Sequence, residues 1–286
     1  MDQRPIGVFD SGLGGLTSLK ELQAILPGEN LVYFGDTGRV PYGSKGRETI
    51  LRYARQDVAF LRSFDPKAIV VACGTVSANA LTELKAENDL PVFGVVIPAA
   101  HRAVESTRNG KVGLIATAAS IRSGAYEKEI AAIDPRVTVY PKACPLFVPL
   151  VENGRFRPGD KVAELVVQEY LTPLKEQGVD TLVLGCTHYP LLADTIRAFM
   201  GPQVALVDSG AACADRCAQK LGEKGLLAQR ETGSARFFVS DSTEDFARLA
   251  GIFLGREVEG PVEKVDGAGG YWRVLKKGQA RSIIDD

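Results

Sequence analysis

The stretch "IVVACGTVSANAL", residues 69–81, contains the transition that decides the fold. A run of branched apolar residues, typical of a buried strand, ends at Cys73, and a segment with helical periodicity follows Gly74 and Thr75. The later stretch "TLVLGCTHYPLL", residues 181–192, repeats the order of strand, cysteine, threonine and helix. Two thiols at equivalent strand ends indicate either two packing residues or one shared active site.

Branched-apolar runs alternate with helical patterns along most of the chain. Helical periodicity is clearest in "TILRYARQDVAFLRSF" and "KVAELVVQEYLTPLKEQ". The strand candidates are "PIGVFD", "NLVYFGD", "KAIVVAC", "PVFGVV", "KVGLIAT", "VTVYPKAC", "TLVLGC", "VALVDS" and "ARFFVS". This alternation predicts an α/β protein with parallel sheets and helices on both faces. Ligands bind such sheets beyond the carboxyl ends of the strands, so residues at strand ends are the site candidates.

The two halves of the chain carry the same order of motifs. "GVFDSGLGG" precedes the first cysteine stretch, and "GLIATAASIRSG" precedes the second. Any doubly wound chain repeats this order, but the pattern also fits two halves facing each other across a cleft. The seam is expected near "VVIPAAH", residues 95–101, and the strand "VALVDS" is expected to return the chain to the first domain. We expect a first domain of residues 1–97 plus 208–266, a second domain of residues 98–207 and a C-terminal extension of residues 267–286.

Composition narrows the class of protein. A chain of 286 residues is long enough to form two domains. Its contents of 45% hydrophobic and 24% charged residues are ordinary for a globular protein. With a formal net charge of -1, the protein as a whole has no electrostatic attraction to nucleic acid or to an anionic membrane. The N-terminus lacks the apolar core of a signal peptide, and no apolar run is long enough to span a bilayer. We therefore expect a cytoplasmic protein with neither nucleic-acid nor membrane partners.

The five cysteines indicate reduced thiols, since the count is odd and no secreted framework is visible. Cys213 and Cys217 lie four residues apart, on one face of a predicted helix. A zinc site would need two more ligands nearby, and the sequence has none there. Core packing is the favoured interpretation of this pair.

The turn "DSGLGG", residues 10–15, resembles the start of a dinucleotide-binding pattern. Gly12 and Gly14 fit that pattern, and Asp36 stands about where a ribose-binding acid would lie. Thr17 occupies the third glycine position, and the carboxylate of Asp10 would repel a pyrophosphate. We reject this interpretation and expect the loop amides to bind a smaller anion, such as a carboxylate.

Other loop residues each have a structural and a functional interpretation. Asp10 is either an N-cap or a charged group near the reaction. The segment "VPYGSKG", residues 40–46, is either a surface turn or a clamp on a carboxylate. Glu152, in "LVENGRF", is a solvated acid unless it reaches His188. The other histidine, His101, is expected to be a residue of the seam.

The positions of Cys73 and Cys186 argue against simple packing. Each is expected at a strand end before a helix start, where the helix N-terminus favours thiolate over thiol. Such a sulfur is a usable base or nucleophile. His188, two residues after Cys186, is either a polar loop residue or a group that tunes the proton of the thiol.

Taken together, these motifs resemble the bacterial glutamate racemase family, within the cofactor-independent aspartate/glutamate racemase superfamily. The matching pieces cover residues 6 to about 240 and are "GVFDSGLGG", "VPYG", the cysteine of "VACGTVSAN", "GLIATAAS", "VENG" and "LGCTHYPLL". The resemblance implies two flavodoxin-like α/β domains with parallel sheets facing each other across a central cleft. It implies interconversion of L-glutamate and D-glutamate for peptidoglycan, without a cofactor or metal, and glutamate as the small-molecule partner. A homodimer is the candidate assembly.

The resemblance also implies roles for individual residues. Cys73 and Cys186 would be the acid–base pair, with Asp10 assisting the first and His188 and Glu152 assisting the second. Substrate-binding residues would be Asp10, Ser11, Pro41, Tyr42, Gly43, Ser44, Gly74, Thr75, Thr117, Ser120, Thr187 and His188. Two thiols on opposite faces of the α-carbon would serve as base and acid, and would exchange roles with the direction of reaction.

The chain departs from the family pattern in two places. Gly74 stands where the family usually has asparagine, and Ser120 where it usually has threonine. Gly74→Asn is therefore expected to tighten glutamate binding, provided that the space is open. The extension from about Gly267 lies beyond the motifs, and its glycines suggest flexibility without an assigned role.

Three alternatives stay open at the level of sequence. A racemase of another acidic amino acid, such as aspartate, would use the same loops. A Cys–His hydrolase would need only Cys186 and His188 and would form a covalent intermediate. A non-catalytic binding protein would not need both cysteines. The sequence shows no cluster of metal ligands, and no lysine at a strand end that could form a Schiff base. It therefore indicates no cofactor.

Overall fold

The chain forms two sheets of mainly parallel strands flanked by helices, as seen in a computed structural model that describes residues 2–267 and 272–274. The strands are β1 (Ile6–Asp10), β2 (Leu31–Gly35), β3 (Ala68–Val71), β4 (Val92–Gly94), β5 (Lys111–Ala116), β6 (Thr138–Ala143), β7 (Thr181–Leu184), β8 (Ala205–Asp208), β9 (Ala235–Val239), β10 (Val262–Asp266) and β11 (Arg273–Val274). All nine predicted strands are present, and the α/β class is confirmed.

The helices occupy most of the segments between strands. They are α1 (Leu16–Ile25), α2 (Arg47–Arg62), α3 (Gly74–Ala86), α4 (Val96–Ser106), α5 (Ala118–Ser123), α6 (Ala125–Ile133), α7 (Phe147–Glu152), α8 (Lys161–Glu176), α9 (Ala193–Met200), α10 (Ser209–Glu223) and α11 (Thr243–Leu254). Three short 3₁₀ helices cover Thr37–Arg39, Tyr42–Ser44 and Tyr189–Leu192. Within the described residues, none of the helices has both the length and the apolar character needed to cross a membrane.

The first sheet has the strand order β11-β10-β9-β2-β1-β3-β4. Phe9 of β1 pairs with Phe34 of β2 on one side and with Val71 of β3 on the other. These strands are buried along their whole length, because α1, α10 and α11 cover one face and α2 and α3 cover the other. Burial on both faces explains why the strands read as continuous apolar runs.

The second sheet has the order β6-β5-β7-β8 and is entirely parallel. Successive strand residues face opposite sides, so Val183 packs with α4 and α6 while Leu182 and Leu184 pack with α8. β8 belongs to this sheet, and α10, which follows it, packs against α1 of the first sheet. The domain boundaries near residues 97 and 208 stay a prediction.

Two features of the described chain differ from expectation. "VVIPAAH" lies at the start of α4, so the predicted strand there ends at Gly94. β10 and β11 were not predicted. β10 carries charged residues between its valines and β11 is only two residues long, which is typical of a sheet edge. β11 belongs to the expected C-terminal extension and pairs with β10 in antiparallel fashion.

Candidate active site

Each sheet reverses its strand order beside the strand that leads to a cysteine. From β1 the chain runs first to β2 on one side and later to β3 on the other. Ser11 follows β1 and Cys73 follows β3, so both lie at this switch point. In the second sheet, Thr117 follows β5 and Cys186 follows β7 in the same arrangement. The sequence repeat therefore reflects two equivalent switch points, where ligands bind in open α/β sheets.

One cavity of about 380 Å³ lies between these switch points. It is lined by the predicted residues Ser11, Pro41, Tyr42, Gly43, Ser44, Cys73, Gly74, Thr75, Thr117, Glu152, Cys186, Thr187 and His188. Hydroxyl groups from both sheets meet here, and Thr75 Oγ1 lies 2.9 Å from Thr117 Oγ1. The cavity thus brings several hydroxyl groups together beside two thiols.

Two predicted substrate contacts are absent from the lining. Ser120 is fully buried, and its Oγ lies 3.0 Å from Thr117 Oγ1. Its amide also donates to Thr117 Oγ1, so Ser120 orients Thr117 rather than facing the cavity. Asp10 is buried behind the cavity wall. Neither residue lines the cavity, because neighbouring side chains cover them, and their contact with substrate stays a prediction.

Several lining residues were not named individually as site residues. They are Gly12, Val40, Ala118, Cys144, Pro145, Val148, Pro149 and Tyr189. Gly12 and Val40 belong to the two loops that were considered for carboxylate binding. Cys144 could have been identified from the sequence, since it ends the strand candidate "VTVYPKAC" just as Cys73 and Cys186 end theirs. Val148 and Pro149 had no such signal, because the packing of α7 against the Tyr189–Leu192 turn brings them to the cavity.

Asp10 accepts a hydrogen bond from the amide of Gly12 at 2.9 Å. The N-cap of α1 is Gly15, and no side chain caps that helix, so the N-cap interpretation of Asp10 is wrong. Burial raises the pKa of Asp10, an effect that the nearby His188 opposes. Asp10 Oδ1 is also 3.5 Å from Thr187 Oγ1, which donates to it across the two sheets.

His188 connects Glu152 to this group. His188 Nε2 lies 3.0 Å from Glu152 Oε1, and Nδ1 lies 3.5 Å from Thr187 Oγ1. Glu152 therefore does reach His188, so it is more than a solvated acid. Both ring nitrogens of His188 have these partners, and among the described residues no hydrogen bond joins the imidazole to the Cys186 thiol. This geometry does not support the Cys–His hydrolase.

Burial dominates the ionisation of both thiols. It raises the pKa of Cys73 to about 12, and the negative charge of Asp10 adds to the shift, while Ser11 opposes it by hydrogen bonding. Burial likewise raises the pKa of Cys186 well above its usual range. This burial opposes the effect expected of the helix N-termini. Cys73 occupies the N-cap position of α3 without a capping hydrogen bond from its side chain, and Cys186 precedes only a 3₁₀ turn.

Gly74 has no open space beside it. A Cβ added there would overlap the backbone carbonyl oxygen of Gly185, in the other sheet. The room assumed for an asparagine side chain is therefore closed, because the two cysteine loops lie backbone to backbone. Their glycines let the loops approach this closely.

The remaining candidates are structural. Asp36 is fully buried and accepts hydrogen bonds from Arg39 and Ser240, which leaves it unavailable to a ribose. Cys213 and Cys217 are buried in α10, as core packing predicts. In the described part of the chain, no group of three or more His, Cys, Asp or Glu side chains could hold a metal ion. His101 is exposed on α4.

Comparison with known proteins places the site in a family. Residues 17–217 match the family model described as Asp/Glu/Hydantoin racemase. A glutamate racemase of Geobacter metallireducens is 50% identical over 256 residues, which cover 89% of this chain and 94% of that protein.

Solved structures give the same result. The glutamate racemase isoform RacE1 of Bacillus anthracis matches with a TM-score of 0.88 and 38% identity, over 93% of this chain and 98% of that one. A glutamate racemase of Francisella tularensis, solved in complex with D-glutamate, matches with a TM-score of 0.85 and 37% identity over the same shares. With identity of this level over nearly the whole of each protein, the chain is an amino-acid racemase and belongs to the glutamate racemase family.

Proposed function

We propose that Cys73 and Cys186 carry the interconversion of L-glutamate and D-glutamate as a two-base pair. The observation that carries this assignment is that two thiols, one from each sheet, line a single cavity between two switch points. A thiol on each side of the substrate can remove the α-proton from one face and return a proton to the other, without moving the substrate.

The proton transfer balances without a cofactor. One thiolate accepts the α-proton and becomes a thiol, leaving a carbanion at the α-carbon. The opposite thiol donates its proton to the other face of that carbon and becomes the thiolate. The reverse reaction uses the same two groups in exchanged roles.

Burial favours the thiol form of both sulfurs, because it raises their pKa values. We infer that the ammonium group of bound glutamate supplies the charge that stabilises one thiolate, since an opposite charge nearby favours the ionised form. The exclusion of water from the small cavity then strengthens that attraction. Substrate binding and base formation are thereby linked.

The surrounding groups have separate proposed tasks. The loop residues 42–44 and the hydroxyls of Ser11, Thr75, Thr117 and Thr187 hold the carboxylates and the amine. Fixed donors near the α-carboxylate stabilise the carbanion as its charge develops. Asp10 acts on Cys73, while His188, held by Glu152, acts on the side of Cys186.

The test of this function is racemisation followed by circular dichroism. Purified protein should convert L-glutamate and D-glutamate into the same equilibrium mixture, with no added metal or cofactor. L-aspartate, assayed in parallel, is expected to react far more slowly. Faster conversion of aspartate would assign the enzyme to a different acid within the superfamily.

Two further proposals follow from the assignment. The D-glutamate formed would supply peptidoglycan synthesis, as the family resemblance implies. A homodimer is the proposed assembly, and the exposed apolar Val162 and Leu165 on α8 offer one surface for it. Sedimentation of wild-type protein and of Leu165→Glu tests that assembly.

A further inference from the structure

The substrate loop rests on a buried polar cluster outside the cavity. The hydroxyl of Tyr42 donates to Asp36 and lies 3.1 Å from Asp57 Oδ2. Both carboxylates and the Tyr42 side chain are almost completely buried. Tyr42 also lines the cavity, together with Gly43 and Ser44. The position of this loop therefore depends on the two carboxylates beneath it.

Arg39 balances the charge of the cluster. Its Nε lies 2.5 Å from Asp36 Oδ2, and its Nη2 lies 3.0 Å from Asp57 Oδ1. Burial raises the pKa of Asp57, and the charge of Asp36 raises it further. The Arg39 guanidinium thus contacts both carboxylates and offsets part of their negative charge. A balance of this kind holds only while the guanidinium is kept in place.

Trp272, from the C-terminal extension, completes the cluster. Its Nε1 donates to Asp57 Oδ1 at 3.2 Å. The Arg39 guanidinium lies 4.5 Å from the Trp272 ring and 4.0 Å from the Tyr53 ring, so both aromatic faces contact it. The Trp272 ring also packs against Phe34, with centroids 5.4 Å apart. The indole therefore touches both the cation and one carboxylate of the cluster.

The chain approaches this position through Gly267. A Cβ at Gly267 would lie 2.7 Å from the Trp272 ring, which is too close for any residue but glycine. β11 begins directly after Trp272 and pairs with β10. The close approach of Gly267 and the pairing of β11 both fix the position of Trp272.

We propose that Trp272 is a positioning residue for substrate binding, which holds the loop of residues 42–44 in place through Arg39, Asp57 and the Tyr42 hydroxyl. The proposal rests on the proposed role of that loop in holding glutamate. A merely structural role of Trp272 would stabilise the fold without any link to the substrate. A positioning role makes the affinity for glutamate depend on a side chain that never touches it.

The single tryptophan of the chain provides a direct readout. Trp272 emission, excited at the red edge where tyrosine does not absorb, is expected to change saturably as D-glutamate or L-glutamate is added. The Tyr42→Phe variant removes the hydroxyl that links loop and cluster, so this change should disappear. Emission that does not respond to glutamate in wild-type protein overturns the proposal.

Kinetics provide the second readout. Trp272→Ala is expected to raise KM for both enantiomers about fivefold with little change in kcat, since one cation–π contact and one hydrogen bond are lost from an element that binds substrate and transition state alike. Trp272→Phe keeps a ring over Arg39, so it should fold normally and raise KM less. The matched control is Arg273→Ala, the exposed neighbour, which should leave KM unchanged.

A double-mutant cycle separates the outcomes. If Trp272 acts through Tyr42, the effects of Trp272→Ala and Tyr42→Phe on KM should not add. Additive effects, or a Trp272→Ala protein with normal KM and only a lower melting temperature, overturn the positioning role. If Tyr42→Phe and Ser44→Ala also leave KM unchanged, the loop itself does not bind glutamate, and the failure then belongs to the proposed function.

Discussion

Gly74 lies so close to Gly185 that a Cβ on Gly74 would overlap the Gly185 carbonyl oxygen. Each glycine directly adjoins a catalytic candidate, Cys73 in one sheet and Cys186 in the other. The approach of these two backbones therefore sets how near the two thiol loops come to each other. The absence of a side chain at Gly74 is a property of the site geometry and not simply a lost substrate contact.

Gly74→Asn is therefore expected to weaken the enzyme, which reverses the expectation from sequence. Forcing a side chain into a filled space costs about 1–3 kcal/mol of stability, and the loops must separate to admit it. We expect a lower melting temperature and at least a tenfold loss of kcat/KM, or about 1.4 kcal/mol. Thermal unfolding and racemisation assays measure both.

Gly222→Ala is the matched control, because a Cβ at Gly222 would meet only Leu227, at an ordinary 3.6 Å. This variant should keep wild-type activity and stability. Tighter glutamate binding by a fully stable Gly74→Asn protein would mean that the loops separate at no cost.

Cys73→Ser and Cys186→Ser should each nearly abolish racemisation, with a loss of at least about 10²-fold, because a full turnover needs both groups. Each variant should still exchange the α-proton of one enantiomer with solvent deuterium, namely the one whose proton faces the surviving cysteine. Mass spectrometry in D₂O measures this exchange. The two-base assignment fails if both variants prefer the same enantiomer.

Cys144→Ser serves as the control for these variants. This third thiol lines the same cavity but has no assigned proton transfer. It should racemise glutamate at close to the wild-type rate. A loss as large as that of Cys73→Ser would require a different pair of bases.

His188→Asn and Asp10→Asn should act on opposite half-reactions. His188 and Glu152 form a pair on the side of Cys186, whereas the charge of Asp10 raises the pKa of Cys73. The two enantiomers have equal free energies, so kcat/KM must stay equal in both directions. The asymmetry is therefore measured by α-proton exchange of each enantiomer, where we expect about tenfold differences.

Glu152→Gln tests the connection within the same pair. It should resemble a weaker His188→Asn, because the imidazole keeps a hydrogen-bonding partner but loses the charge that orients it. Equal, minor effects of His188→Asn, Asp10→Asn and Glu152→Gln on both enantiomers would reduce these residues to structural roles.

Alkylation of Cys73 in the unliganded protein should rise about tenfold with each pH unit, without a plateau between pH 7 and 9, since only the thiolate reacts. The sign follows from burial, which raises the thiol pKa to about 12 and keeps the sulfur protonated over this range. Peptide mapping after brief iodoacetamide treatment measures the rate.

Asp10→Asn provides the internal comparison for this titration. Removing the negative charge should lower the pKa of Cys73 and speed alkylation at a given pH. A rate that levels off below pH 9 in wild-type protein would show that the helix N-terminus outweighs burial after all.

Local patterns were sufficient for much of the fold. The predicted strands β1, β2, β3, β5 and β7 are almost completely buried, so their apolar runs carried a strong signal. β10 and β11 were missed because they form the more exposed end of the first sheet, where charged residues hide the alternation of apolar side chains. The sequence also allowed three site residues to be predicted, Cys73, Cys186 and Thr117, because strand ends at a switch point can be located from the order of the elements.

Sequence by itself determined the alternation of strands and helices, the repeat of the two halves and the chemical groups at each strand end. These depend on neighbours in the chain. Tertiary structure alone decided that Glu152 meets His188, that Ser120 supports Thr117, and that Trp272 reaches Asp57 across 215 residues. It also decided the ionisation of the thiols, because desolvation depends on everything packed around a group, and the closing of the space at Gly74, because two separate backbones meet there.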